Sequence, residues 1–423
     1  MFDLVTPELV GLSSHRLGRV DNWMQTLVAS QRLAGISVLV YRRGHCAWFG
    51  SAGHLKTDRQ QKIAEDTIFR IYSMTKPITS VAAMMLYEQG LFQLDDPIAK
   101  FLPEFTDMQV CVGGDVDNPK LEPARSLITM RQLLTHTSGL GYDFTSRPPV
   151  DALYRKHGIN FSRHHGSLAE MTRQTAQMPL LFHPGTQWNY SVSTDVLGRV
   201  VEVISGQSLD RYFAEHILAP LGMNDTAFWV AEDKLHRLAE MYTLAGATPP
   251  RIKGEPTEVT PEPQGALEIS AGSGGRQFTQ PPKIFSGGGG LTSTTGDYLR
   301  FALMLRNGGT FNGVRLLGRK TVEFMHSNHL PGPMADMGEP RFNNTHMGAG
   351  LGFGLGFGVV LNPALAQTMG SVGEYFWTGM ANTQFWIDPS EDLIVIEMAQ
   401  MMPSTLVPIR QTLRSLVYQA LID

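Results

Sequence analysis

The chain has 423 residues, of which 42% are hydrophobic and 17% are charged, and its formal net charge is -4. This is an ordinary globular composition, long enough for two domains or for one domain with a large insertion. There is no block of like charges and no basic stripe, which argues against nucleic acid or an anionic membrane surface as a partner.

The N-terminal segment and the cysteine count predict a cytoplasmic location. The first 25 residues lack a basic segment leading into an apolar run, which a secretory signal would have. No stretch approaches the roughly 18 apolar residues that span a bilayer. Cys46 and Cys111 are too few for a disulfide framework or a cysteine-rich metal site, so we expect two reduced thiols.

The first predicted elements are a helix, a hairpin and a second helix. Apolar residues recur at helical spacing over about residues 13–32. The stretch GISVLVYRRGHCAWFGSAG predicts two strands joined by a turn at Arg-Arg-Gly. A longer helix follows Ser73 and ends at Gly90, because glycine is typical of a helix C-terminus. The buried apolar positions are predicted as Leu17, Val20, Met24, Leu27 and Val28 in the first helix, and Ile78, Val81, Ala82, Met85 and Leu86 in the second.

The second half of the chain predicts strands after a long connection. Residues 244–290 are rich in proline and glycine, which indicates a linker or a long loop. After this segment the sequence predicts a helix over 295–309, strands within 351–361, 374–389 and 393–401, and a final helix over 407–423.

Strands at both ends of the chain and helices between them predict an α/β (α+β) fold, with an antiparallel sheet flanked by helices. In this prediction residues 1–68 and 287–423 form the α/β domain. Residues 69–286 form an inserted, mostly helical domain, and the 244–290 segment leads back to the sheet.

The sequence Ser73-Met74-Thr75-Lys76 is the candidate for chemistry. In a helix that begins near Ser73, Ser73 and Lys76 share one face, and Pro77 is tolerated in the first turn. The helix dipole favours negative charge on the serine oxygen, and a lysine against apolar neighbours can act as its base. The alternative is a serine that only caps the helix beside a solvated lysine, and the SxxK spacing alone does not separate the two.

Other segments decide between these alternatives. The chain has no second SxxK, and no GxSxG, HExxH, Walker A or GxGxxG sequence that would indicate another chemistry. Four further motifs follow in order: LLTHTSGLGY (133–142), HPGTQWNYSVSTDVLG (183–198), GGGGLTSTTGDYLRF (287–301) and FWTGMANTQFWIDP (376–389). From about residue 8 to its end, the chain resembles serine hydrolases built like class C β-lactamases and DD-peptidases, and more narrowly the family VIII carboxylesterases.

The resemblance implies specific roles. Ser73 matches the nucleophile, Lys76 the lysine of SxxK, and Tyr190 the tyrosine of the second motif. That motif has asparagine two residues after its tyrosine in β-lactamases, and here the position is Val192. The third motif, Lys-Thr-Gly in β-lactamases, is here Trp377-Thr378-Gly379.

Both departures favour an esterase over a β-lactamase. A tryptophan supplies no cation for the carboxylate of a penicillin, and a valine cannot hydrogen-bond the amide side chain of a β-lactam. Trp377 and Val192 instead offer apolar surface to an uncharged ester. The family VIII esterases carry such a tryptophan.

The resemblance implies a serine carboxylesterase that forms an acyl-enzyme on Ser73 and hydrolyses short- to medium-chain esters. The oxyanion hole would be the backbone N–H groups of Ser73 and Met380, and Tyr142 would face the acyl pocket beside Trp377, Val192, Thr378 and Gly379. No metal or organic cofactor is implied. The alternatives are a β-lactamase or DD-peptidase, an acyltransferase of the same fold, or a penicillin-binding protein without turnover.

Several other features carry no predicted chemistry. We expect His136 to be structural and hydrogen-bonded within its turn, and Arg163–Gly166, near His157, to be a solvated loop. The glycines of MGAGLGFGLGFG predict a strand with close backbone approaches rather than a phosphate loop. The sequence does not determine the oligomeric state or whether segments 106–126 and 244–290 cover the pocket.

Overall fold

The protein is built around a seven-stranded sheet. The computed structural model describes residues 2–145, 147–162, 166–246, 265–270, 278–338 and 347–423. The sheet has the strand order β11-β12-β13-β14-β15-β1-β2, and each neighbouring pair is antiparallel. Its strands are β1 (Gly35–Arg42), β2 (His45–Gly53), β11 (Met347–Phe353), β12 (Gly358–Val360), β13 (Tyr375–Gly379), β14 (Thr383–Asp388) and β15 (Leu393–Ala399).

Shorter strands in the described ranges form two-stranded pairs outside this sheet. They are β3 (Phe69–Arg70) with β8 (Thr292–Ser293), β4 (Gln109–Gly114) with β5 (Pro119–Pro123), β6 (Tyr242–Leu244) with β7 (Leu267–Ile269), and β9 (Thr310–Phe311) with β10 (Val314–Arg315).

Helices cover both faces of the sheet and fill the middle of the chain. They are α1 (Ser14–Ala29), α2 (Thr75–Glu88), α3 (Met130–Leu134), α4 (Val150–His157), α5 (Leu168–Thr175), α6 (Ser193–Ser205), α7 (Leu209–Phe213), α8 (Ala219–Leu221), α9 (Thr295–Arg306), α10 (Arg319–Met325) and α11 (Arg410–Tyr418). No helix among the described residues is long and apolar enough to cross a membrane.

Two adjacent residues of β14 show how the layers are arranged. Phe385 packs on Tyr298 of α9, with ring centroids 5.0 Å apart, while Trp386 stacks on Tyr418 of α11 at 6.4 Å. Successive side chains of a strand point to opposite faces. Helix α9 therefore covers one face of the sheet and α11 covers the other.

The N-terminal elements follow the prediction closely. Helix α1 buries Leu17, Val20 and Met24, and Ser13 caps it by accepting from the N–H of Arg16. The hairpin β1–β2 turns at Arg43 and Gly44, whose φ values of 49° and 87° are left-handed. The antiparallel sheet predicted from both ends of the chain is confirmed, while the domain bounds stay a prediction.

Helix α2 begins at Thr75, just after Ser73 as predicted, but its buried residues surround the helix instead of forming one stripe. Helix α6 packs along α2, which is enclosed by other elements and therefore has apolar residues around most of its circumference. Gly90, with φ of 73°, ends the helix as predicted.

The sequence left open whether segments 106–126 and 244–290 cover the pocket. The structure describes all of the first segment and only parts of the second. Part of segment 106–126 forms the β4–β5 hairpin, and its Cys111 N–H donates to Leu180 O at 2.9 Å. Within 244–290, Leu267–Ile269 pairs with Tyr242–Leu244. Residues 247–264 and 271–277 lie outside the described residues, as does the Arg163–His165 part of the predicted solvated loop.

Candidate active site

Ser73 lies in a tight turn directly before α2. The turn is a single 3-10 turn, Tyr72–Met74, and Tyr72 has φ of 42°, a left-handed value that is costly for a non-glycine residue. The hydroxyl of Tyr298 donates to Met74 O at 3.0 Å and holds the turn from the α9 side. Ser73 is therefore presented by packed backbone and does not cap the helix.

Strand β13 approaches this turn so closely that only glycine fits. A Cβ atom at Gly379 would lie 2.5 Å from the carbonyl oxygen of Ile71, well inside van der Waals contact. The hydroxyl of Thr383 also donates to Ile71 O at 3.3 Å. The strand that carries Trp377 is thereby fixed against the turn that carries Ser73.

The three residues predicted as catalytic meet at one oxygen atom. The hydroxyl of Tyr190 donates to Ser73 Oγ at 2.6 Å, and Lys76 Nζ donates to the same oxygen at 3.2 Å. Ser73 is partly exposed, whereas Lys76 and Tyr190 are each 2% exposed. One solvent-accessible hydroxyl is thus paired with two buried groups that can exchange its proton.

Lys76 Nζ lies within hydrogen-bond distance of three acceptors. Besides Ser73 Oγ, Nζ donates to Tyr142 OH at 3.1 Å and to Gly288 O at 2.6 Å. Nζ also lies 4.6 Å from the centroid of the Tyr190 ring, within cation–π range. These contacts fix the position of the amine relative to the serine.

A buried carboxylate supports the Gly288 carbonyl. Asp195 Oδ1 accepts from Ser286 Oγ at 2.5 Å and from the N–H of Gly288 at 3.0 Å. A Cβ at Gly288 would lie 2.3 Å from Asp195 Oδ2, so the close approach requires glycine. Burial raises the pKa of Asp195, and the nearby positive charge of Lys76 acts in the opposite direction.

Aromatic rings surround the tyrosine of the trio. The Tyr190 ring lies 5.7 Å from Trp377, 5.2 Å from Tyr142 and 5.0 Å from His136, measured between centroids. Phe353 packs edge-on against Trp377 at 5.3 Å. Trp377 is 2% exposed, so it acts both as core and as the apolar backing of Tyr190.

Two neighbours of the trio are held uncharged by their surroundings. Burial, followed by the nearby Tyr190 hydroxyl, holds the pKa of Tyr142 well above 10. Burial and the charge of Lys76 hold the pKa of His136 well below 6.5. Among the described side chains, the amine hydrogen-bonded to Ser73 is that of Lys76.

For the remaining predicted residues, all of which the structure describes, it gives positions near the site but no hydrogen bond to Ser73, Lys76 or Tyr190. Met380 follows β13 in the turn to β14 and packs against the apolar cluster that contains Tyr72. Val192 is buried at the start of α6. Thr378 lies on β13 between Trp377 and Gly379, so its side chain points to the opposite face. The substrate roles of these residues stay predictions.

The structure corrects the prediction for His136. Its Nδ1 pairs with Ser191 Oγ at 3.3 Å, next to Tyr190 in the sequence, rather than with an atom of its own turn. The sequence did not predict the contact of Tyr142 with Lys76 or the support that Asp195 gives to Gly288. The sequence features that could have indicated the second contact are the aspartate of YSVSTD and the GGGG run. They lie about 90 residues apart, so no local pattern connects them.

The arrangement suits acyl transfer through an activated serine. The described residues contain no group of three or more histidine, cysteine or acidic side chains placed to hold a metal ion. Cys46 is buried with its pKa raised to about 12, which makes it a poor nucleophile, and both cysteines are free thiols.

Comparison with known proteins gives consistent relatives. The family model described as Beta-lactamase matches residues 20–419. Protein Rv1367c of Mycobacterium tuberculosis is 34% identical over 380 residues, covering 88% of this chain and 86% of that protein. Esterase EstB of Burkholderia gladioli is 31% identical over 386 residues, covering 89% of this chain and 88% of EstB.

A solved structure supports the same assignment. EstCE1, described as a hydrolase with promiscuous acyltransferase activity, superposes with a TM-score of 0.77 at 28% identity, covering 96% of this chain and 99% of EstCE1. This confirms the predicted β-lactamase/transpeptidase-like fold. The chain belongs to the Beta-lactamase family, as a serine hydrolase-type enzyme that resembles the family VIII esterases.

Proposed function

We propose that the protein is a carboxylesterase that hydrolyses uncharged esters with short- to medium-length acyl chains through an acyl-enzyme on Ser73. The observation that carries the proposal is the meeting of Tyr190 and Lys76 at Ser73 Oγ, at 2.6 and 3.2 Å. Trp377 stands where β-lactamases have a cationic lysine, which favours an uncharged substrate over a penicillin.

The reaction takes two acyl-transfer steps. With one proton absent from the Lys76–Tyr190 pair, the hydroxyl proton of Ser73 passes to that pair as Oγ bonds to the ester carbonyl carbon. The backbone N–H groups of Ser73 and Met380 hold the oxyanion, and such donors contribute about 3 kcal/mol each. The carbon–oxygen bond to the alcohol then breaks, and the alcohol leaves with a proton delivered through Tyr190. In the second step, water gives a proton to the same pair and attacks the acyl carbonyl carbon. The bond to Ser73 Oγ then breaks, and Ser73 regains its proton as the acid leaves.

The test is steady-state turnover of p-nitrophenyl acetate, butyrate and octanoate beside a chromogenic cephalosporin. We expect Ser73→Ala, Lys76→Ala and Tyr190→Phe each to lower ester kcat by more than about 1,000-fold while the fold is retained. Tyr212→Phe is the matched control, because Tyr212 is a buried tyrosine that packs on His216 instead of the site. Retention of turnover by Ser73→Ala, or faster cleavage of the cephalosporin than of every ester, would refute the proposal.

Acyl transfer to an alcohol is the second candidate, because the structurally similar EstCE1 is a hydrolase with promiscuous acyltransferase activity. The two functions share the acyl-enzyme and differ in which acceptor reaches it. Adding a short alcohol to the p-nitrophenyl butyrate reaction separates them. A butyrate ester as the main product in dilute alcohol would favour the transferase, and butyric acid would favour the esterase.

A further inference from the structure

Phe144 is an exposed aromatic ring next to the catalytic residues. Its ring stacks on Tyr142 with centroids 4.4 Å apart and an interplanar angle of 27°. Tyr142 in turn contacts Lys76 through its hydroxyl and packs its ring against Tyr190. Phe144 nevertheless keeps 46% of its surface exposed, whereas Tyr142 keeps 9%. The ring therefore continues the aromatic surface of the site outward to solvent.

The loop that carries Phe144 is fixed by helix α4. The buried carboxylate of Asp151 accepts from Thr145 Oγ1 at 2.6 Å and from the N–H of Arg147 at 2.8 Å. Arg155 donates to the carbonyl oxygen of Asp143 at 2.6 Å. The backbone on both sides of Phe144 is thus held in place. A ring fixed in this way loses little conformational entropy when a ligand covers it.

We infer that Phe144 is a specificity-determining residue whose exposed ring packs against a bulky apolar group of the ester substrate. This inference rests on the proposed ester hydrolysis and names the substrate class more closely, as esters that carry an aromatic or similarly large apolar group. An exposed aromatic ring gains by burying its apolar surface, and stacking adds to that gain when the partner is itself aromatic.

The test compares pairs of esters in Phe144→Ala and in the wild-type enzyme. One pair differs in the acyl group, p-nitrophenyl acetate and phenylacetate. The other differs in the alcohol, ethyl and benzyl acetate, followed by titration of the released acid. We expect the kcat/KM preference for the bulky ester to fall about tenfold in one pair, which also identifies the half of the ester that Phe144 contacts. Phe144→Trp should retain the preference.

Controls separate this inference from a loss of fold or of the proposed function. Phe324→Ala removes another exposed phenylalanine, which packs on His329 rather than on site residues, and should leave both preferences unchanged. Because each preference is a ratio for one enzyme, it reports the Phe144 contact even if Ser73→Ala were to refute the proposed nucleophile. Both ratios staying within about twofold of wild type in Phe144→Ala would overturn the inference.

Discussion

Asp195 is linked to Lys76 through the backbone of Gly288. Its carboxylate fixes the Gly288 backbone, and the Gly288 carbonyl accepts from Lys76 Nζ at 2.6 Å. A displaced carbonyl would let the amine move relative to Ser73 Oγ. Shifts of about 1 Å in a reacting group can lower a rate by about 100-fold. Asp195 is therefore a positioning residue for Lys76.

We expect Asp195→Ala to lower kcat for p-nitrophenyl butyrate by about 100-fold while KM changes little, because the Gly288 N–H loses its acceptor and the binding surfaces stay intact. Asp297→Ala is a matched control, since buried Asp297 also accepts from one backbone N–H and one hydroxyl, those of Asp225 and Thr226. Equal losses of kcat in both variants would mean that Asp195 has only a structural role.

At the scale of elements, the turn after α3 combines strain with a buried titratable group. His136 has φ of 55°, and its ring is enclosed by Tyr190, Trp188 and Phe353. Because its pKa in the folded protein is lowered, the unfolded chain binds a proton that the native chain does not. Stability therefore falls as pH decreases from about 6.5 toward the lowered native pKa.

His136→Asn should weaken this pH dependence, since asparagine tolerates the left-handed backbone and has no imidazole to protonate. The measurement is the free energy of unfolding in urea at pH 7.5 and pH 5. We expect the loss between these pH values to be smaller in the variant by roughly 1 to 2 kcal/mol. If the variant loses as much unfolding free energy between pH 7.5 and pH 5 as the wild type, then groups other than His136 cause the pH dependence, and the prediction is wrong.

Helices and strands with a strong periodic pattern could be predicted from the sequence. The backbone turn that carries Ser73 could not. The apolar spacing of α1 and the two strand-like runs around the Arg-Arg-Gly turn predicted these elements at nearly correct bounds. The 3-10 turn at Ser73 was not predicted, because it depends on contacts with Tyr298 and β13. Such contacts between distant segments leave no local pattern in the sequence.

At the scale of the whole molecule, Arg42 joins segments from both ends of the chain. It is 1% exposed, and its guanidinium donates to the carbonyls of Val10 and Gly11 and to the carboxylates of Asp423 and Glu391, at 2.8 to 2.9 Å. The guanidinium is buried, whereas the carboxylates of Glu391 and Asp423 keep 32% and 31% exposure, so its removal takes hydrogen bonds from two buried carbonyls and two partly exposed carboxylates.

Arg42→Ala should lower the free energy of unfolding by about 2 to 3 kcal/mol, because a buried guanidinium with several hydrogen bonds is lost while its acidic partners stay partly solvated. Urea unfolding followed by circular dichroism measures the change. Arg19→Ala serves as the control, since Arg19 makes an exposed hydrogen bond to Gln419 and its loss should matter little. A change below about 1 kcal/mol in Arg42→Ala would show that the two chain ends are held by apolar packing instead.

The order of strands in the sheet has a consequence during synthesis on the ribosome. Strand β1 pairs on one side with β2 at once, but its other partner, β15, is translated about 350 residues later, which takes roughly 20 to 70 s at 5–20 residues per second. During that time the apolar edge of β1 has no native partner, and such an edge can pair with another nascent chain. The growing polypeptide should therefore engage chaperones from its first hairpin onward and gain activity only when β15 has emerged.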